Sequence, residues 1–306
     1  MEKLKNSKLL VVIKWLWMGA VFAAVVYYII TNFPRVQEYF QTIHWLRFVI
    51  SFLLLLSAKL LVIEGSRVSV QSEGISLSYW KFLSIFSLTA LGKYLPGGMW
   101  HLLGRYGAYR SEKIDNNHSL RAMLAENIWI ITSAFIAGVA ALLLLNRDVL
   151  LANNINLTAA QAFLITFGLV LAWVIGLLIT QRYVQSSHTL QPLSILRVMA
   201  VYFPAWLLFS LSYGWLFPTV DLSTLKLAVG AFPMSWFIGS VSIFAPAGIG
   251  VRELALTVFY AATEYASLAL ILASVHRVLW VLAELTLGLV TISVDTLRKK
   301  SGKQNI

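Results

Sequence analysis

The sequence predicts an all-α, polytopic membrane protein with about six spanning helices and two re-entrant hairpins, arranged as two inverted repeats. Three observations carry that prediction. Of 306 residues, 59% are hydrophobic and only 12% charged, against about 45–50% and about 25% in a soluble domain. Stretches free of Asp, Glu, Lys and Arg run from Trp15 to Pro34, Asn127 to Asn146, Val149 to Gln181, Val198 to Val220 and Leu227 to Val251, and about 20 apolar residues cross a bilayer as helix. Two further apolar segments are interrupted by proline and glycine. Lipid offers backbone groups no water, so only helices and closed barrels span it, and continuous apolar runs without period-two alternation select helices.

In chain order, spanning helices are expected near 9–31, 44–63, 122–145, 161–181, 196–217 and 266–292. The first follows Lys3, Lys5, Lys8 and Lys14; its run exceeds the signal-peptide core of about 7–15 residues and is read as a retained helix. The segments 80–109 and 225–260 are different in kind. One is broken at Gly92-Lys93-Tyr94-Leu95-Pro96-Gly97-Gly98-Met99-Trp100, the other at Phe244-Ala245-Pro246-Ala247-Gly248-Ile249-Gly250-Val251-Arg252-Glu253. Proline removes a donor and clashes with the preceding turn, and glycines weaken a helix, so Pro96, Gly97, Gly98, Pro246, Gly248 and Gly250 mark hairpin turns.

Charge placement favours hairpins over kinked spanning helices. If both segments return to the side they entered, most Lys and Arg lie on one face. Full crossing would move the loops Arg105–Arg121 and Arg182–Arg197 to the other and largely erase the bias that orients membrane proteins. Both termini are therefore expected in the cytoplasm, and the location expected is a bacterial cytoplasmic (inner) membrane. The formal charge of +11 is accordingly an orientation signal, and no nucleic-acid partner is expected. The absence of cysteine excludes disulfides and thiolate chemistry.

An internal repeat emerges when the breaks are superimposed. Pro96-Gly97-Gly98 lies over Pro246-Ala247-Gly248, and Glu126-Asn127-Ile128-Trp129 over Arg277-Val278-Leu279-Trp280. The halves are 1–150 and 151–306, together one integral membrane domain. With three crossings per half the second is inverted relative to the first, as in many transporters with a site between repeats.

Charges within apolar helices are functional candidates. Arg277 and Glu284 stand seven residues apart, on one face but beyond the preferred i, i+4 spacing. Each therefore needs a partner elsewhere, and Glu126 is the one expected for Arg277. Lys93, Arg105 and Arg252, with Glu253 beside the last, lie near the breaks, where exposed helix ends favour anions. Arginine grips phosphate bidentately. The set describes a basic pocket in an apolar wall, suited to an anionic lipid headgroup whose tails stay in the bilayer. The plainer readings are a structural ion pair for Glu126, Arg277 and Glu284, snorkelling for Lys93 and Arg105, and an interfacial belt for Tyr79, Trp80, Tyr94, Trp100, Tyr106 and Tyr109. His101 and His276 stand apart from other metal-ligating residues, and no metal spacing, nucleophile elbow or phosphate loop occurs. Neither metal, cofactor nor enzymatic activity is expected.

The run Gly92-Lys93-Tyr94-Leu95-Pro96-Gly97-Gly98-Met99-Trp100-His101-Leu102-Leu103-Gly104-Arg105 resembles the signature of the lysylphosphatidylglycerol synthase transmembrane-region family, the flippase-like proteins. Pro246-Ala247-Gly248-Ile249-Gly250-Val251-Arg252-Glu253 is similar to its second signature, and Glu126 and Arg277 fall where that family carries helix charges. The resemblance implies a membrane module that moves lipids or lipid-linked glycans between leaflets. The chain ends at Ile306, soon after the last expected helix, so the soluble aminoacyl-transfer domain of the lysyl-lipid synthases is not expected. The leading expectation is flippase-like translocation of an anionic phospholipid or lipid-linked glycan, with membrane lipids as partners. Two alternatives are a proton-coupled transporter of a small anion using Glu126 or Glu284, and a non-transporting partner of a glycosyltransferase or polysaccharide-assembly complex.

Overall fold

The computed structural model describes Ile30 and residues 33–71, 73–94, 100–146, 150–151, 155–184, 192–242 and 245–303. All but Ile30 of the expected helix 9–31, together with Pro96, Gly97 and Gly98, lie outside the described residues. The regular elements described are all helical: α1 (Phe33–Thr42), α2 (Trp45–Gln71), α3 (Tyr79–Ala90), a first 3-10 turn (Leu91–Tyr94), α4 (Trp100–Ser111), α5 (Asn116–Leu145), α6 (Ala159–Val184), α7 (Pro192–Gly214), α8 (Leu222–Val241), a second 3-10 turn (Pro246–Gly248), α9 (Val251–Phe259) and α10 (Ala266–Lys303).

Six described helices are long and apolar enough to cross a membrane: α2, α5, α6, α7, α8 and α10. Five occupy expected spans, several with longer ends. The sixth lies in segment 225–260, expected as a hairpin: Leu222–Val241 alone has 20 residues and is apolar enough for a crossing. The physical reason is the place of the break: Pro246, Gly248 and Gly250 leave an uninterrupted helix before them, and Pro233 is accommodated inside it. By contrast α3 and α4 have 12 residues each, about 18 Å of helix, too short for a hydrocarbon core of about 30 Å. Helix α9 has nine.

The helices start where acids and hydroxyls can satisfy free N–H groups. Asp115 caps α5, accepting from the N–H groups of Asn117 and His118 at 2.9 and 3.1 Å. Asp221 caps α8 through the N–H of Thr224 at 2.7 Å. Helices α2 and α7 form the most extensive pair, followed by α5 and α8. In the latter, a Cβ at Gly138 would come within 2.8 Å of the Met234 backbone, and one at Gly230 within 2.8 Å of Leu142. Small residues let membrane helices approach this closely. The α2–α7 seam is tied by reciprocal bonds in which Ser51 Oγ donates to the Ser212 carbonyl and Ser212 Oγ to the Ser51 carbonyl, both 2.7 Å. Around α7, Trp206, Phe209, Tyr213 and Phe217 bury their rings against Phe232, Tyr260 and Trp280.

Both broken units double back. Lys81, at the start of α3, and Glu112, just past α4, form an ion pair at 2.7 Å. The Tyr260 hydroxyl, just past α9, donates to the Thr224 carbonyl near the start of α8 at 3.4 Å. The first ends meet the far end of α10, where Asp295 accepts from Trp80 Nε1 and Ser84 Oγ at 2.8 and 2.9 Å. The second lie by its beginning, where Tyr265 bonds to Thr219. Between them the two 3-10 turns touch.

Candidate functional site

A cavity of about 510 Å³ lies where those turns meet. Its walls are largely apolar, but Lys59 from α2, Lys93 from the first turn, Arg105 from α4, Glu126 from α5, Arg252 from α9, and Arg277 and Glu284 from α10 all line it. Of the residues expected at the site, six are thus at the cavity, and Glu253 sits just behind it against Arg277. Arg277 and Glu284 fall in the central part of the apolar span Ala266–Arg298. Charge survives there only if partners and hydrogen bonds replace water, so each ion's partners define what it is free to do.

Glu284 is saturated. It accepts from Lys59 Nζ at 2.7 Å, Lys93 Nζ at 2.5 Å, Tyr94 Oη at 2.8 Å and Trp280 Nε1 at 2.8 Å. Lys59 also lies 3.7 Å above the Trp280 ring, a cation–π contact strengthened by the dry surroundings.

Arg105 is equally committed. Its Nη1 donates to Glu126 Oε2 at 2.8 Å, its Nε to Thr89 Oγ1 at 2.8 Å, and its Nη2 to the Phe86 carbonyl at 3.4 Å. The Tyr109 hydroxyl gives Glu126 a second donor at 3.2 Å. The expected Glu126–Arg277 pair does not form. Because α4 folds back beside α5, Arg105 reaches Glu126 first.

The second turn carries less settled cations. Arg277 Nη2 donates to the Ala247 carbonyl at 2.7 Å, and its Nε stands 4.0 Å from Glu253 Oε1. That carbonyl is presented by a left-handed bend: Ala247 has φ 52° and Gly248 φ 67°. Glycine adopts this region without strain, and a Cβ at Gly248 would also strike Gly239 at 2.9 Å. Glu253 Oε2 accepts the Gly250 N–H at 2.8 Å, closing the start of α9. Arg252 is 4% exposed. It packs over Phe232 and Trp280 at 4.4 and 4.7 Å, and its Nη2 reaches His276 Nδ1 at a long 3.4 Å. Its buried Nη1 has no hydrogen-bond partner among the described residues.

Lys59 is the site residue the sequence reading leaves out. It sits in the apolar run Leu53–Ile63, and a lysine inside a span is itself the signal. His276 lies beside Arg252, with Nε2 3.1 Å from Ser212 Oγ. No group of three His, Asp or Glu side chains able to hold a metal occurs among the described residues. Chemically, the arrangement can bind an anion through guanidinium and ammonium groups while apolar walls receive hydrocarbon. Comparison of the chain with protein-family models, curated proteins and solved structures finds no match. The resemblance to the flippase-like family therefore rests on the two quoted segments.

Proposed function

We propose that this chain translocates a phosphate-bearing anionic lipid between leaflets, its headgroup held in the central cavity and its tails in the bilayer. The observation that carries the reading is Arg252: a guanidinium buried at the cavity wall with one nitrogen unpartnered. A buried donor left unmade costs about 1–3 kcal/mol, more when charged, and a phosphate oxygen removes that cost bidentately. Arg277 and Lys93 stand at the same cavity. The saturation of Glu126 and Glu284 weighs against either as an open proton site and so against the proton-coupled reading.

On this reading the α3–α4 and α8–α9 units are re-entrant hairpins entering from opposite faces of a bacterial inner membrane. Support comes from the Lys81–Glu112 and Tyr260–Thr224 contacts, which bring each unit's ends together at opposite ends of α10. The halves 1–150 and 151–306 then alternate access as inverted repeats. Because the chain has no cysteine, the topology is testable with single introduced thiols. Asn116→Cys should be shielded from an impermeant reagent added outside and Thr263→Cys should react; the reverse pattern sinks the hairpin arrangement.

The function is tested in proteoliposomes carrying a phosphatidic acid with a fluorescent acyl tail, by the fraction of label that an impermeant reductant bleaches over time. Wild type is expected to expose the inner-leaflet label, and Arg277→Ala to lose that activity while eluting as a folded protein. Equal bleaching with and without wild-type protein would refute translocation. Full activity in Arg277→Ala would remove Arg277 from the site.

A further inference from the structure

The cavity also constrains how much charge its ligand carries. Lys59, Lys93, Arg105, Arg252 and Arg277 face three carboxylates, the cavity-lining Glu126 and Glu284 and the adjoining Glu253, a formal excess of two positive charges. The excess is not spread evenly. Arg105 and Glu126 neutralise each other at one wall, so it falls on the cluster of Lys59, Lys93, Arg252 and Arg277 around Glu284 and Glu253. Uncompensated charge in a dry interior is strongly unfavourable.

Every carboxylate of the set already has donors. Glu126 holds Arg105 and Tyr109, Glu284 holds four donors, and Glu253 holds the Gly250 N–H beside Arg277. Neither carboxylate that lines the cavity is left to receive an ammonium group, and Glu253 lies behind the wall, so a zwitterionic headgroup would bring a cation into a cavity that already has too many.

Resting on the lipid reading above, we propose that the site is built for a headgroup with two negative charges on a terminal phosphate, a phosphate monoester, and discriminates against singly charged phosphodiesters and zwitterions. Two charges match the excess; a phosphodiester leaves one cation unanswered. The unpartnered Nη1 of Arg252 and the weakly paired Arg277 supply the charge-assisted donors that a terminal phosphate, with its three acceptor oxygens, can engage together.

The experiment titrates the full-length protein in detergent with dihexanoyl phosphatidic acid, dihexanoyl phosphatidylglycerol and inorganic phosphate, following fluorescence of Trp280 and the other tryptophans. The pH is held at about 8, where a phosphate monoester is doubly charged because its second pKa is near 6. The two lipids share their tails and differ in headgroup charge. Phosphatidic acid is expected to bind at least about tenfold tighter than phosphatidylglycerol, and Arg252→Gln to shrink that ratio to about twofold. Arg277→Gln serves as the second variant should Arg252→Gln fail to fold. Equal affinities for the two lipids in the wild type would overturn the proposal, as would an undiminished ratio in a folded Arg252→Gln. Inorganic phosphate binding as tightly as phosphatidic acid would keep the two-charge site and refute its lipid character, separating this inference from the proposed function.

Discussion

In the first half of the molecule the short helix carries the cation and the long helix the carboxylate: Arg105 on α4 meets Glu126 on α5 at 2.8 Å. In the second half the charges are exchanged, with Glu253 on short α9 and Arg277 on long α10, and the pair stands open at 4.0 Å. The first arrangement is a closed structural pair, with further Arg105 donors taken by Thr89 and Phe86. The second is held apart because Arg277 is drawn to the Ala247 carbonyl and Glu253 to the Gly250 N–H. The first half thus holds a closed pair and the second an open one, and the difference is made by a left-handed bend of two residues.

The comparison breaks most readily at the closed pair. Glu126→Gln strands Arg105 in a dry interior, and removing one partner of a buried pair costs about 3–5 kcal/mol. A large drop in the midpoint of thermal unfolding in detergent is expected, with much of it recovered in Arg105→Leu/Glu126→Leu. A drop no larger than that of Glu253→Gln would dissolve the distinction between the halves. Glu253→Gln itself, at the open pair, is expected to cost less than Glu126→Gln, because glutamine still accepts the Gly250 N–H and Arg277 keeps the Ala247 carbonyl; its signature should be altered binding of phosphatidic acid.

The smallest effects belong to the two helix caps, one per half. The His118 N–H holds the Asp115 carboxyl below the usual carboxylate range, and the Thr224 N–H does the same for Asp221. A carboxyl depressed in the folded state adds stability above its unfolded pKa near 4, and that stability is lost as pH falls through the lower folded value. Asp115→Ala and Asp221→Ala should therefore lower stability slightly and by similar amounts at neutral pH and converge with wild type as the pH falls through the folded value, which flattens the acid limb of the unfolding curve. A strong asymmetry would mean that one cap does more than start a helix.

Helices and charged residues were readable in the sequence to different depths. Long apolar runs locate α2, α5, α6, α7 and α10 because burial in lipid demands continuity, which is a local property. Segment 225–260 is harder: the break at Pro246, Gly248 and Gly250 lies toward one end, so the residues before it form a helix of crossing length. Partner choice was the least legible. Matching positions in the repeat suggested Glu126 with Arg277, yet pairing depends on which chain folds back alongside, and α4 brings Arg105 to Glu126. Lys59 is hard to single out because an apolar run dilutes one lysine, although its reach to Glu284 across 225 residues makes it one of the ties between the halves.

That reach has a dynamic consequence. Lys59 and Lys93 both donate to the same oxygen of Glu284, while Tyr94 takes the other oxygen and Trp280 adds a further N–H. If an arriving phosphate draws Lys93 away, the carboxylate still keeps an ammonium and two neutral donors. On the proposed reading, capture of a phosphate exchanges one anion for another at Lys93 and leaves Glu284 paired with Lys59.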